Sequence, residues 1–235
     1  MPTAAVRRLG LGDRIAPPTQ ERTMTLVDSG ALAVQLDRES GGSVVLEVLG
    51  RGMCVSSALE QPDFARESLS VMALVPSRIV QVSQEAVERR CLSDDRLAPS
   101  LLRVAARHKE RERDHLVSLL DRNPLRRTAF AVWYLAAAFQ DTCPVRTGAR
   151  IPLSQNFVAA TANLARQTAN RALRVLARAQ VLALEPRLVC VLDADALSRI
   201  ARGRETPIAR GSPRRCELLN PGCAASCVGK NGASH

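Results

Sequence analysis

The chain has 235 residues, 46% apolar and 24% charged, the balance of a globular protein with enough length to bury a core without disulfides. Its net charge of +10 is almost all arginine, since Lys109 and Lys230 are the only lysines, and arginine's planar donors suit phosphate and the guanine edge. No apolar run is long enough to span a membrane, the best being residues 129–139, and no apolar stretch follows Arg7 and Arg8 as a secretory signal requires; no membrane partner and a cytoplasmic location are expected.

Residues 1–24, rich in Pro, Gly, Thr and Arg without sustained periodicity, read as an irregular N-terminal segment. Residues 25–93 have the texture of a β domain. Within them, 31–36 and 43–49 are short β-favouring runs joined by a turn-rich connector, which predicts a hairpin. Residues 69–75 and 78–82 read as further strands on either side of Pro76, and several short strands of this kind predict a small barrel or jelly roll. With six aromatic residues in the whole chain, the core rests on Leu, Val and Ala. A short helix is predicted over 84–91, and Asp94 or Asp95 can cap a long one running to about 121. Its apolar stripe (Leu97, Leu101, Val104, Ala105, Leu116, Leu119, Leu120) flanks a charged middle, residues 107–115, with no apolar member. A helix of this kind, spanning 94–122, either pairs with a second copy or packs on its own domain.

Asn123 and Pro124 supply an N-cap and a first helical residue for a helix that is almost wholly apolar over 129–138 and should be buried. A loop is expected at 141–150. Residues 123–202 then read as a winged helix-turn-helix. Ser154 can cap a short helix at 155–161, residues 161–164 make a tight turn, and a second helix at 165–179 turns Ala169, Ala172, Leu173 and Leu176 inward. Residues 181–184 and 188–192, joined by Glu185, Pro186 and Arg187, read as the two strands of a wing. The second helix of such a unit lies in the major groove. Arg166, Gln167, Thr168, Asn170, Arg171 and Arg174 are the DNA-facing residues, with Ser154 on the preceding helix. Arg166 and Arg171 can be bidentate to guanine, and Gln167 or Asn170 to adenine. From 121 to 202, twelve Arg stand against five Asp or Glu, a balance of +7 that points to double-stranded nucleic acid. A merely solvated amphipathic helix would carry the same charge; the turn before it and the wing after it separate the two.

The order of parts resembles the Crp/Fnr family of bacterial regulators over residues 24–201. The run VDSGALAV at 27–34 is similar to the family's strand with a glycine before the hairpin, and Gly52 falls where its phosphate-binding cassette opens. IPLSQ at 151–155 with ARQTANR at 165–171 looks like its helix-turn-helix, and DADAL at 193–197 resembles its closing segment after the wing. The resemblance implies an α+β chain with a β jelly-roll sensor domain, a long dimerisation helix and a C-terminal winged helix-turn-helix domain. It implies a homodimeric transcription regulator that reads a palindromic operator and engages RNA polymerase. Arg166 sits where the family often places a base-reading Arg, and Arg171 matches its recurring Arg. Gln167 replaces a frequent Glu, which changes the half-site expected, because an amide donates and accepts where a carboxylate only accepts.

Members that bind cyclic nucleotides use a Gly-Glu pair for the ribose and an Arg-Ser pair for the phosphate. Counted from Gly52, this chain has Ser56-Ser57 and Glu67-Ser68 instead, with Arg66 on the opposite side of an extended strand. A carboxylate facing a phosphodiester is repulsive, so cyclic AMP or cyclic GMP is not expected to bind. Seven Cys without a secretory signal argue against a disulfide framework. Cys54, Cys143 and Cys190 read as small buried hydrophobes. Cys216, Cys223 and Cys227, spaced C-x6-C-x3-C in a Gly/Pro/Ser/Asn-rich tail at 203–235, either hold a metal or iron–sulfur cluster, with Cys91 or a carboxylate as fourth ligand, or belong to a flexible tail. The resemblance supports the cluster, since some members sense oxygen through one, and the alternative function is then a redox- or ligand-sensing module whose DNA contact is secondary. His108, Glu112 and His115 share one face of the long helix, either solvated or as a pH- or metal-responsive patch. No Ser/His/Asp arrangement, glycine-rich phosphate loop or paired His/Glu metal motif is present, so an enzyme is not expected.

Overall fold

The structure is a computed structural model, described over residues 4–15, 23–37, 43–56, 68–139 and 149–209. It divides into two compact units, Met1–Val117 and Ser118–His235. Cys143, Cys216, Cys223 and Cys227 lie outside the described residues, as do Ser57, Arg66 and Glu67 of the expected nucleotide cassette.

Among the described residues of the first unit, eight strands form two four-stranded antiparallel sheets: β1 Ala5–Leu9, β2 Arg14–Ile15, β3 Thr23–Ser29, β4 Leu32–Asp37, β5 Ser43–Leu49, β6 Cys54–Ser56, β7 Ser68–Ala73 and β8 Ser77–Ser83. One sheet has the order β1-β8-β3-β6 and the other β2-β7-β4-β5. Their apolar core contains Leu9, Ile15, Val27, Leu32, Val34, Leu49, Val71 and Ile79, branched side chains that suit a pleated, half-buried surface. The expected hairpin is β4 against β5, from Leu32 opposite Leu49 to Asp37 opposite Ser43. The chain crosses from one sheet to the other at Gly30, whose φ of +90° and close approach to Ser77 admit no side chain: a Cβ there would sit 2.7 Å from the Ser77 Cα. The Ser77 hydroxyl fills that space, accepting from Ala31 N at 3.1 Å and donating to Val75 O at 2.7 Å.

The N-terminal stretch corrects the sequence reading. It supplies β1, which pairs with β8 from Ala5–Gln81 to Leu9–Ser77, and β2, which pairs with β7. Residues 5–8 of β1 are exposed, so backbone pairing rather than burial holds them and no apolar alternation marks them.

Helix α1, Gln84–Ser93, starts at Ser83, whose side chain accepts from Ala86 N. Helix α2, Leu97–Leu119, has two faces. Leu101, Val104, His108, Arg111, Glu112 and His115 are half-buried or buried, whereas Leu102, Lys109, Arg113, Leu116 and Val117 are exposed. The charged middle is therefore half docking surface, and His108 and His115 are not solvated. His115 is fully buried, with Nε2 3.2 Å from Val45 O of β5; a carbonyl only accepts, so Nε2 carries the proton. His108 pairs with Glu47, also on β5. Burial, reinforced by Glu112 and opposed by Arg111 and Lys109, lifts the Glu47 carboxyl to about 7. Burial also lowers the His108 and His115 imidazoles. Burial thus disfavours the charged form of both partners of the Glu47–His108 contact. Among the described residues, no group of three or more His, Cys, Asp or Glu is placed to hold a metal ion. Cys190 is buried as expected, while Cys54 is only half-buried, its thiol raised by burial and by Glu47.

The second unit contains α3 Pro124–Ala138, β9 Arg150–Ile151, α4 Gln155–Thr161, α5 Arg166–Arg178, β10 Leu182–Glu185, β11 Leu188–Val191 and α6 Ala194–Ala201. Asn123 caps α3 through Leu125 N, and Asp193 caps α6 through Ala196 N at 2.8 Å. Val132, Tyr134, Leu135, Val158, Leu173, Leu176, Leu197 and Ile200 are buried together here. The wing has a third strand, in the order β10-β11-β9, because β9 adds to β11 through Ile151–Val189 and Arg150–Cys190. Two residues carry no readable alternation, and the sequence reading assigned Arg150 to a loop.

Candidate nucleic-acid interface

Ser154 starts α4 as expected, its hydroxyl accepting from Phe157 N at 3.3 Å. Helix α4 ends in a Schellman turn: Asn163 adopts φ +48°, Leu164 N donates to Ala159 O at 2.9 Å, and Asn163 N donates to Ala160 O at 3.1 Å. Asn tolerates the left-handed conformation better than most residues, so the turn fits its sequence. It redirects the chain within three residues into α5.

Helix α5 buries Ala169, Ala172, Leu173, Leu176 and Ala177, the inward residues read from the sequence with one addition. Arg166, Gln167, Arg171 and Arg174 are exposed, and Thr168 is half-exposed. Asn170 departs from expectation. It lies at the margin of the buried face, with its Oδ1 shielded from solvent, so it is less available to a base than Gln167. Arg178, seven residues after Arg171, joins the exposed row; the i, i+3, i+7 spacing of 171, 174 and 178 was the available signal. Two more arginines were not singled out for the interface. Arg187 is exposed in the wing turn with Pro186. Arg127 of α3 reaches the turn before α5: its Nε and Nη2 donate to Ala162 O at 3.0 and 2.6 Å, and Nη2 donates to Asn163 O at 2.7 Å.

Charge and backbone agree along this surface. Helix α5 contains no acidic residue, and its N-cap, Ala165, has no side chain able to accept from the first N–H groups. Those donors and the positive end of the helix dipole stay available to an anion, while the arginine row carries formal charge along the same side. A duplex supplies the matching pattern of phosphates and acceptor-rich base edges.

The family described as Crp-like helix-turn-helix domain matches residues 95–200. The chain is similar in structure to FixK2 from Bradyrhizobium japonicum, at 17% identity and a TM-score of 0.66, over 84% of this chain and 97% of that one. It is similar to a CRP-family transcriptional regulator from Thermus thermophilus, at 21% identity and a TM-score of 0.66, over 86% and 99% of the two chains. It is also similar to the c-di-GMP responsive global regulator CLP from Xanthomonas campestris, at 17% identity and a TM-score of 0.59, over 81% and 94%. At these identities the solved structures establish the fold alone: an N-terminal double sheet followed by a C-terminal helix-turn-helix domain. A comparison with curated protein sequences returns no match. Among the described residues, no helix is long and apolar enough to cross a membrane.

Proposed function

We propose that the protein binds a palindromic DNA operator as a homodimer, acting in the cytoplasm, with each chain placing α5 in one major groove. The observation that carries this reading is the exposed, acid-free face of α5, with Arg166 and Gln167 in its first turn and Arg171, Arg174 and Arg178 behind them. The first-turn residues read base edges; the later arginines and Arg187 of the wing turn contact phosphates. The exposed face of α2, with Leu102, Leu116 and Val117, supplies the pairing surface. RNA polymerase is the expected protein partner of such an assembly. A small-molecule effector for the double-sheet unit is supported by the c-di-GMP response of CLP, which shares the fold. Catalysis forms no part of this reading.

Selection of binding sites from a random duplex pool, followed by sedimentation of the complex, tests the proposal. The expected result is an inverted repeat with half-sites about 10 bp apart or a multiple of it, carrying two chains per duplex. Enrichment of no sequence, or of a site filled by one chain, overturns it.

A further inference from the structure

Ala165 offers α5 no side-chain cap, so the first turn of the reading helix is not held by its own sequence. What precedes it is held from outside. The Schellman turn consumes the carbonyls of Ala159 and Ala160, and beyond it, at the negative end of α4, the carbonyls of Ala162 and Asn163 accept from a side chain of another helix. Arg127 takes both with one planar guanidinium, through the three contacts already described. Its own helix is fixed at the start by Asn123, whose side chain accepts from Leu125 N at 2.9 Å. Helix α3 also packs directly against α5. A guanidinium presents several donors in a rigid fork, whereas an ammonium is a point charge on a flexible stem.

We infer that Arg127 is a positioning residue for DNA reading: its fork locks the turn at Ala162 and Asn163 and so sets the direction and depth at which Arg166 and Gln167 meet base edges. This rests on the reading of α5 as the recognition helix. Arg127 itself touches no DNA on this account. Its removal degrades sequence discrimination more than overall DNA affinity, because the phosphate-facing arginines further along α5 remain in place.

The test compares wild type with Arg127→Lys and Arg127→Gln, first confirming by circular dichroism and sedimentation that each is folded and in the wild-type oligomeric state. Affinities for the selected operator and for a random duplex are then measured across a salt series, together with hydrogen exchange of the amides at residues 163–168. In both variants the operator affinity should fall at least about fivefold, the low end of what one lost base contact costs, with less than about a twofold change on random duplex. The salt slope should be unchanged, the base preference at the positions read by Arg166 and Gln167 should flatten, and exchange at 163–168 should quicken. Arg127→Lys covers the case in which Arg127→Gln does not fold. Equal losses on operator and random duplex would mean a general structural role, and unchanged exchange at 163–168 would mean that Arg127 does not hold the turn; either result overturns the inference. A salt slope smaller by about one would make Arg127 a phosphate contact and overturn it as well. If wild type selects no operator, the regulator reading falls first and this inference with it.

Discussion

Arg166 and Gln167 stand in the first turn of α5, where a helix entering a groove brings side chains nearest the bases; on the proposed docking Arg171, Arg174 and Arg178, further along the helix, would meet the phosphates. Arg166→Ala should therefore cost about 1–3 kcal/mol on the selected operator and relax one base position, measured by titration against operator and variant half-sites. An equal loss on operator and random duplex would remove Arg166 from the reading role. Gly30 makes a different demand. Gly30→Ala forces a side chain into a left-handed conformation and against the Ser77 backbone, so it should destabilise the double-sheet unit by about 1–3 kcal/mol and lower its melting temperature by several degrees. A melting temperature within about 1 °C of wild type would show that the corner relaxes freely. These residues differ in how openly the sequence displays them. The α5 face could be read because its inward alanines and leucines recur at helical spacing. The retreat of Asn170 to the margin of that face depends on packing. Arg127 could not be read, since its partners are two backbone carbonyls some 35 residues downstream, and no side-chain pattern announces such a contact.

At the scale of elements, the docking of α2 on β5 rests on groups whose protonation changes with folding. The Glu47 carboxyl is raised from 4.5 to about 7, so between those values the folded chain keeps a proton that the unfolded chain has released. The resulting stabilisation is complete below about pH 4.5 and is lost as pH rises towards about 7. His115 has the opposite sign. Its imidazole is lowered from 6.5, so the unfolded chain takes up a proton first and stability is lost as pH falls below 6.5. His108, Lys109, Arg111 and Glu112 of α2, together with Cys54 of β6, complete the charged and titratable surroundings of Glu47. Glu47→Gln should raise the melting temperature more at pH 8 than at pH 5, because His108 is neutral at pH 8 and no ion pair is forfeited. His115→Gln, which keeps a donor for Val45 O, should weaken the loss of stability on the acid side. Parallel pH profiles for wild type and both variants would count against these assignments. The long helix itself was evident from its stripe and its break at Asn123-Pro124. That its charged middle lies on β5 was not evident, because a polar run reads as solvated until its partners, here a backbone carbonyl and a carboxyl on a distant strand, are known. Strands β1 and β9 escaped for other reasons: β1 is held by backbone pairing with its side chains mostly exposed, and β9, though buried, has only two residues, too few to show alternation.

For the whole molecule, DNA affinity should be dominated by phosphate neutralisation. If each of two chains contributes three or four arginines, affinity should fall on the order of a thousandfold or more between 50 and 200 mM salt. A nearly flat salt dependence would be incompatible with the arginine row as the contact surface. The order of parts from double sheet to long helix to reading head was legible because each part has its own periodicity: alternation in the strands, a helical stripe in α2 and α5, and breaks at proline and glycine between them.

The exposed side of α2 sets a further condition on assembly. Leu102, Leu116 and Val117 are apolar, but Arg113 stands between them on the same outward side, with Lys109, which is paired with Glu112 at 2.8 Å, beside it. In a parallel two-fold arrangement each residue near the axis meets its own counterpart, so cations oppose cations at the waist of the seam while the oily ends attract. Added electrolyte should then tighten self-association by screening that repulsion, even as it loosens the grip on the duplex. Analytical ultracentrifugation of the free protein and titration of its operator over one salt series should move in opposite directions.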